Sequence, residues 1–160
     1  MTDDKAAARA KELAYRYLAV RARSRAELSK YLAKKGFDDG LTESVISDLT
    51  RYGFIDDEKF AESFAKRLVD VKGLSRYGVR MELKKKGVPE NDIERALCII
   101  FSEDGEGQSE EAVAMRVAER KAASFQKLDR ETARRRMTGF LQRRGFGYEI
   151  ISRVLRKTLP

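Results

Sequence analysis

Residues Ser24 to Phe37 read SRAELSKYLAKKGF: a serine, a basic amphipathic run, a glycine and an aromatic residue. The chain states this pattern three times. Ser75 to Val88 is SRYGVRMELKKKGV, and Ala133 to Phe146 is ARRRMTGFLQRRGF. Aligned on Gly36, Gly87 and Gly145, Leu28, Val79 and Met137 share one position and Leu32, Leu83 and Leu141 share another. Those two positions lie four residues apart, so they fall on one helix face and mark a core-facing stripe. Lys34-Lys35, Lys85-Lys86 and Arg143-Arg144 stand directly before the three glycines. The glycines are 51 and 58 residues apart. Self-similarity at that spacing is the signature of a tandem array of small supersecondary units.

Outward from this stretch, nearly everything reads as helix. A first helix is predicted from about Lys5 to Val20, with Leu13, Ala14, Tyr17 and Leu18 as its buried stripe. Ser24 with Glu27 three residues on is a capping box, and Gly36 is a natural helix stop. Phe37 is placed to pack back under that turn. A further helix carries Val45, Ile46 and Leu49 and ends near Tyr52-Gly53. Asp56 then suits an N-cap, with Asp57 and Glu58 favoured by the helix dipole. Ile55 and Phe60 stand at the positions of a hydrophobic staple. Phe60, Ala61, Phe64, Ala65 and Leu68 form the stripe behind it, and Val71 to Leu74 is a glycine-containing connector.

The second basic helix runs from Ser75 to Gly87, and Pro89 suits the first turn of the next. Ile93, Ala96, Leu97 and Ile100 line that helix. SEDGEGQS at Ser102 to Ser109 is the clearest linker. Beyond Glu110, Ala114, Val117, Ala118 and Ala122 make a thin apolar face, and Ser124 to Asp129 a joint. Met137, Phe140 and Leu141 then point inward, followed by Ile150, Ile151, Val154 and Leu155 in the last helix. The expected fold is all-α: an elongated, curved array of three tandem three-helix, helix-turn-helix-like repeats at residues 10–53, 54–103 and 109–160. Units this small bury little alone and must stack on their neighbours.

The chain has 160 residues and a net charge of +8. Charge follows the repeat. Residues 1–36 carry ten Lys and Arg against four Asp and Glu, and residues 37–64 carry two against eight. Residues 65–87 carry eight against two, residues 88–111 one against eight, and residues 112–160 thirteen against four. Basic helices recurring once per unit suggest a stripe for a polyanion or an acidic protein face. For any single cation the competing reading is a solvated face that also suits the helix C-terminal dipole.

Chemistry is hard to find. Histidine is absent, which removes the usual general bases and triads. Cys98 is the one cysteine; in the run LCIIF it reads as a core residue of a reducing compartment. It excludes disulfide frameworks and Cys/His zinc sites within one chain. GEG at Gly105 to Gly107 lacks the strand and the Lys-Ser/Thr of a phosphate loop. The carboxylates of Asp56 and Asp57 read as a cap, not a metal site. No catalytic, cofactor-binding or metal residue is expected, and no cofactor. No apolar run spans a bilayer and the N-terminus lacks a signal-peptide core, so the expected address is the cytoplasm, with no membrane partner.

A DNA-reading helix–turn–helix is disfavoured, because its recognition helix would be TESVISDL, which is small and acidic. The chain instead resembles the RecX family, bacterial regulators of the RecA recombinase. The resemblance rests on SRAELSKYLAKKGF, on YGFIDDEKFAESFAKRL at Tyr52 to Leu68, on ELKKKGVPENDIERAL at Glu82 to Leu97 and on FLQRRGFGYEIISRVL at Phe140 to Leu155. It covers roughly residues 10 to 157 in family order. The third unit departs in having Ala133 where the others have serine, and an alanine-rich first helix.

The resemblance implies a non-enzymatic protein that binds the RecA–single-stranded DNA filament in its groove. It would inhibit ATP hydrolysis, strand exchange and co-protease activity, and favour disassembly. The expected partners are the RecA filament and single-stranded DNA, directly or within the filament, with the protein a monomer. The alternatives are a non-specific DNA-binding protein acting through phosphates and a solenoid adaptor for another protein. The contact candidates are Arg25, Lys34, Lys35, Arg76, Lys85, Lys86, Arg135, Arg143 and Arg144.

Overall fold

The computed structural model describes residues 3–102 and 107–159. Among them, the regular structure is helical throughout: α1 (Asp3–Val20), α2 (Arg25–Lys34), α3 (Asp39–Arg51), α4 (Asp57–Arg67), α5 (Arg76–Lys85), α6 (Glu90–Ile100), α7 (Glu110–Ala122), α8 (Arg130–Gln142) and α9 (Tyr148–Thr158). Of the expected linker, residues 103–106 lie outside the described residues, and with them Gly105 of the GEG sequence.

The recurrent apolar positions are the core. Leu28, Val79 and Met137 are fully buried, and so are Leu32, Leu83 and Leu141. Each basic helix ends where its glycine takes a left-handed conformation, at φ +88° for Gly36, +71° for Gly87 and +88° for Gly145. That conformation costs a residue with a Cβ roughly 1–2 kcal/mol. The Ser24 capping box forms as expected: the Glu27 N–H donates to Ser24 Oγ, and the Glu27 carboxylate accepts from the Ser24 N–H.

Four local expectations need correction. Val71 and Lys72 are not connector: α4 runs on into a π-helical turn, Leu68–Lys72, closed by left-handed Gly73. The Val69 carbonyl accepts both the Gly73 N–H and an Arg116 Nη2–H, which holds that turn in place. Pro89 precedes α6 and acts as its cap, its carbonyl accepting from Ile93. The third basic helix starts a turn earlier than the alignment on Ala133 implies; Asp129 caps it through the Thr132 N–H, and Ala133 is an interior buried residue. Cys98 is exposed. The buried face of α6 is Ile93, Ala96 and Leu97, with buried Phe101 just past its end, so helical spacing turns Cys98 and Ile99 to solvent although both sit in an apolar run.

The chain forms two compact units. One comprises residues 1–61 and 83–93, the other residues 62–82 and 94–160. In the first, α1, α2 and α3 pack on one another around Ala10, Ala14, Leu28, Leu32, Val45, Ile46, Leu49 and Ile55, with Tyr17, Leu18, Tyr31 and Phe37 at the margin. In the second, α7 packs on α8 and α9, and α8 on α9. Val113, Val117, Met137, Leu141, Ile151 and Val154 are buried there.

Candidate functional site

The nine candidate cations fall into two groups. Arg25 and Arg76 occupy equivalent first positions of α2 and α5, and both are committed to helix joints. The Arg25 N–H donates to Asp57 Oδ1 at 2.8 Å, and its guanidinium pairs with Glu43. The Arg76 N–H donates to Glu110 Oε1 at 3.2 Å, and its guanidinium reaches Glu94 and the Cys98 Sγ. Asp57 and Glu110 are each the first residue of the following repeat's leading helix. Their sequence role as first-turn acids was legible; their use as caps for a helix 32 or 34 residues away was not.

Lys86 and Arg144 are committed in the same way. The Ser24 hydroxyl donates to the Lys86 carbonyl, and Lys86 Nζ pairs with Glu27 Oε1 at 3.1 Å. The Ser75 N–H donates to the Arg144 carbonyl at 2.9 Å, and Arg144 Nε donates to the Lys72 carbonyl at 3.2 Å. The two serines are fully buried. Each therefore receives the C-terminal turn of the next basic helix against its own helix N-terminus. That joint is tight: a Cβ on Gly87 would lie 2.3 Å from Ala26 Cβ, and one on Gly145 2.4 Å from Ser75 Oγ. Gly78 leaves room for the approach, since a Cβ there would lie 2.7 Å from the Arg144 carbonyl.

The electrostatics of the first joint are concentrated on Glu27. Burial would raise its pKa, but hydrogen bonds from Arg21, Lys86 and the Ser24 N–H outweigh burial and hold it at about 2. Asp57, by contrast, is pushed up, chiefly by burial, against the lowering effect of the Arg25 N–H.

Lys34, Lys35, Lys85, Arg135 and Arg143 are exposed. Lys35 Nζ sits 5.5 Å from the Tyr31 ring centroid, and Tyr31 stacks on Tyr17 at 4.1 Å. Arg143 and Arg135 line a cleft of about 380 Å³ beside Phe140 and Lys121. Arg144 lies 3.8 Å over the same Phe140 ring. The sequence singled out Phe140 only as a core residue; it is half-buried and carries cations instead. Its spacing of four from Arg144 was the available signal. No group of three or more Cys, Asp or Glu side chains among the described residues is arranged to hold a metal ion. No helix among them is long and apolar enough to cross a membrane.

Three family models match the chain in order: the RecX first three-helix domain at residues 10–49, the second at 56–97 and the third at 109–155. The regulatory protein RecX of Amycolatopsis mediterranei is 36% identical over 153 residues, which is 93% of this chain and 85% of that protein. The regulatory protein RecX of Treponema pallidum is 35% identical over 145 residues, 91% of this chain and 74% of that protein. The crystal structure of RecX from Lactobacillus salivarius matches with a TM-score of 0.79 at 21% identity, covering 99% of this chain and 98% of that one; this likeness concerns the fold.

Proposed function

Because this chain belongs to the RecX family of regulatory proteins, we propose that it is a non-enzymatic, cytoplasmic regulator of the RecA recombinase. It binds the RecA–single-stranded DNA filament in its groove as a monomer. It inhibits ATP hydrolysis, strand exchange and co-protease activity, and favours filament disassembly, so it acts in DNA repair and the SOS response. The observation that carries this reading is the in-order match of all three three-helix domains to one regulatory family. The residue-level support is the recurrence of one basic helix end per repeat. Three similar helix ends on one chain suit a partner that is itself repetitive, because simultaneous weak contacts add avidity without strong single ones.

Within this reading Lys34, Lys35, Lys85, Arg135 and Arg143 are the contact residues. Lys86 and Arg144 act through the joints they hold, as do Arg25 and Arg76. The test is RecA-dependent ATP hydrolysis on single-stranded DNA with this protein at sub-stoichiometric and equal amounts. Inhibition is expected at one ratio or both; its absence at both overturns the reading. Lys85→Glu is expected to weaken inhibition with helicity intact. Unchanged inhibition removes Lys85 from the interface. Lys86→Glu is a poor test, because it sets a carboxylate against Glu27 and loosens the joint.

A further inference from the structure

The basic residues are not equally available along the chain. In the first repeat Arg21 pairs with Glu27, Arg25 with Glu43 and Lys11 with Asp48, and Glu27 also takes Lys86 of the second repeat. In the third repeat the ion pairs gather on Glu111, which holds Arg153 and Lys157, while Asp129 is used to cap α8. Around Phe140 a different arrangement stands. One cleft, of about 380 Å³, is lined by Lys121, Arg135, Arg136 and Arg143 with Phe125 and Phe140. A second, of about 220 Å³, is lined by Lys72, Arg120, Lys121 and Arg144 with Val71, Val117 and Phe140. The two share Lys121 and Phe140, and among the described residues no carboxylate lines either.

Cations gathered in recesses without anions raise the local potential and focus it outward. The Phe140 ring is already used: Arg144 covers it at 3.8 Å, and Lys121 Nζ stands 5.7 Å from its centroid. The ring thus holds cations beside it. Burial, with the neighbouring charge of Arg143, disfavours the charged form of Arg144, a strain that an incoming anion relieves. An acidic protein partner would rely on apolar anchors at the centre of its interface, and in these recesses cations outnumber the apolar residues. Guanidinium groups match phosphate oxygens bidentately. Two adjoining recesses that share Lys121 and Phe140 offer separate sets of cations to successive phosphates of a flexible strand.

We propose that the paired clefts around Phe140 in the third repeat bind the phosphodiester backbone of single-stranded nucleic acid directly, with Arg135 and Arg143 as leading contacts. This deepens the filament reading by assigning the nucleic-acid contact to one repeat, and it is tested without RecA. Anisotropy of a fluorescent oligothymidylate reports binding of the full chain as salt is raised. The wild-type protein binds with affinity that falls steeply with salt. Arg135→Gln/Arg143→Gln lowers affinity about tenfold or more at low salt and reduces the salt slope by about 1.4, twice the roughly 0.7 expected per phosphate contact. Arg9→Gln/Lys30→Gln removes the same charge from exposed helix positions of the first repeat and changes affinity less than about twofold. Both variants keep wild-type circular dichroism, because all four side chains are exposed.

Absence of wild-type binding overturns the proposal, as does equal loss in the two variants. Tighter binding of a duplex overturns the single-strand assignment. Displacement by poly-glutamate as effective as by unlabelled oligothymidylate turns the site over to acidic polypeptides. RecA ATPase inhibition that survives any of these results leaves the filament reading standing. Oligonucleotide binding as expected without ATPase inhibition sinks the filament reading alone.

Discussion

At the scale of single residues, Glu27 shows how one side chain takes on a second task. As the third residue of α2 it completes the capping box, a role visible in the spacing of Ser24 and Glu27. Its carboxylate also draws in Lys86, 59 residues away, and no local pattern announces that. The consequence is measurable. With its folded pKa at about 2 against an ordinary 4.5, Glu27 stabilises the protein above about pH 4.5, and that stability is lost as pH falls toward 2. Glu27→Gln keeps a capping group but removes the charge. It is expected to cost about 1–2 kcal/mol at neutral pH, below the full shift because Arg21 is solvent-screened, with the difference from wild type closing in acid. Urea titrations at a series of pH values check this; a pH-independent difference would refute it. Cys98 carries the opposite lesson. Its apolar neighbours suggested burial, yet the helix turns it outward, so a maleimide should label it fully in the native protein without denaturant. Labelling only after unfolding would return it to the core.

At the scale of elements, the three glycine turns look alike in sequence but differ in what stands against them. All three adopt positive φ. Gly36 has nothing within 4 Å of a would-be Cβ, whereas Gly87 faces Ala26 and Gly145 faces Ser75 and Gly78. Gly36→Ala should therefore cost only the conformational penalty, about 1 kcal/mol. Gly87→Ala and Gly145→Ala add steric overlap at a joint and should cost about 3 kcal/mol each. Chemical denaturation of the three variants gives the comparison, and equal costs would mean the joints yield freely. The glycines as helix stops were legible because a left-handed terminus requires so little context. The joints were not, because they pair a helix N-terminus with a turn more than 60 residues on: Ser24 with Lys86, and Ser75 with Arg144. The local serine cap was readable; the second bond that buries it was not.

At the scale of the whole molecule, the three basic helices are set differently. The Lys35-Gly36 turn is exposed, and α8 is capped by its own Asp129 in place of a buried serine. The two compact units follow the joints and not the repeats: the first takes in residues 83–93, which carry the Lys86-Gly87 turn against Ser24 and Ala26. Periodicity revealed three repeats because each has its own helices and stripe, but it could not show that residues 83–93 complete the first one. A fragment of residues 1–53 contains every helix of the first repeat and lacks that turn. It leaves the buried Ser24 hydroxyl without its acceptor and Glu27 without Lys86, in a chain of a size that is marginal even when complete. Residues 1–102 restore the turn. The shorter fragment is expected to show weak helical circular dichroism and a broad thermal transition, and the longer one a cooperative transition. If residues 1–53 instead melt cooperatively with the helicity they have in the full chain, the repeat and not the joint is the unit of stability.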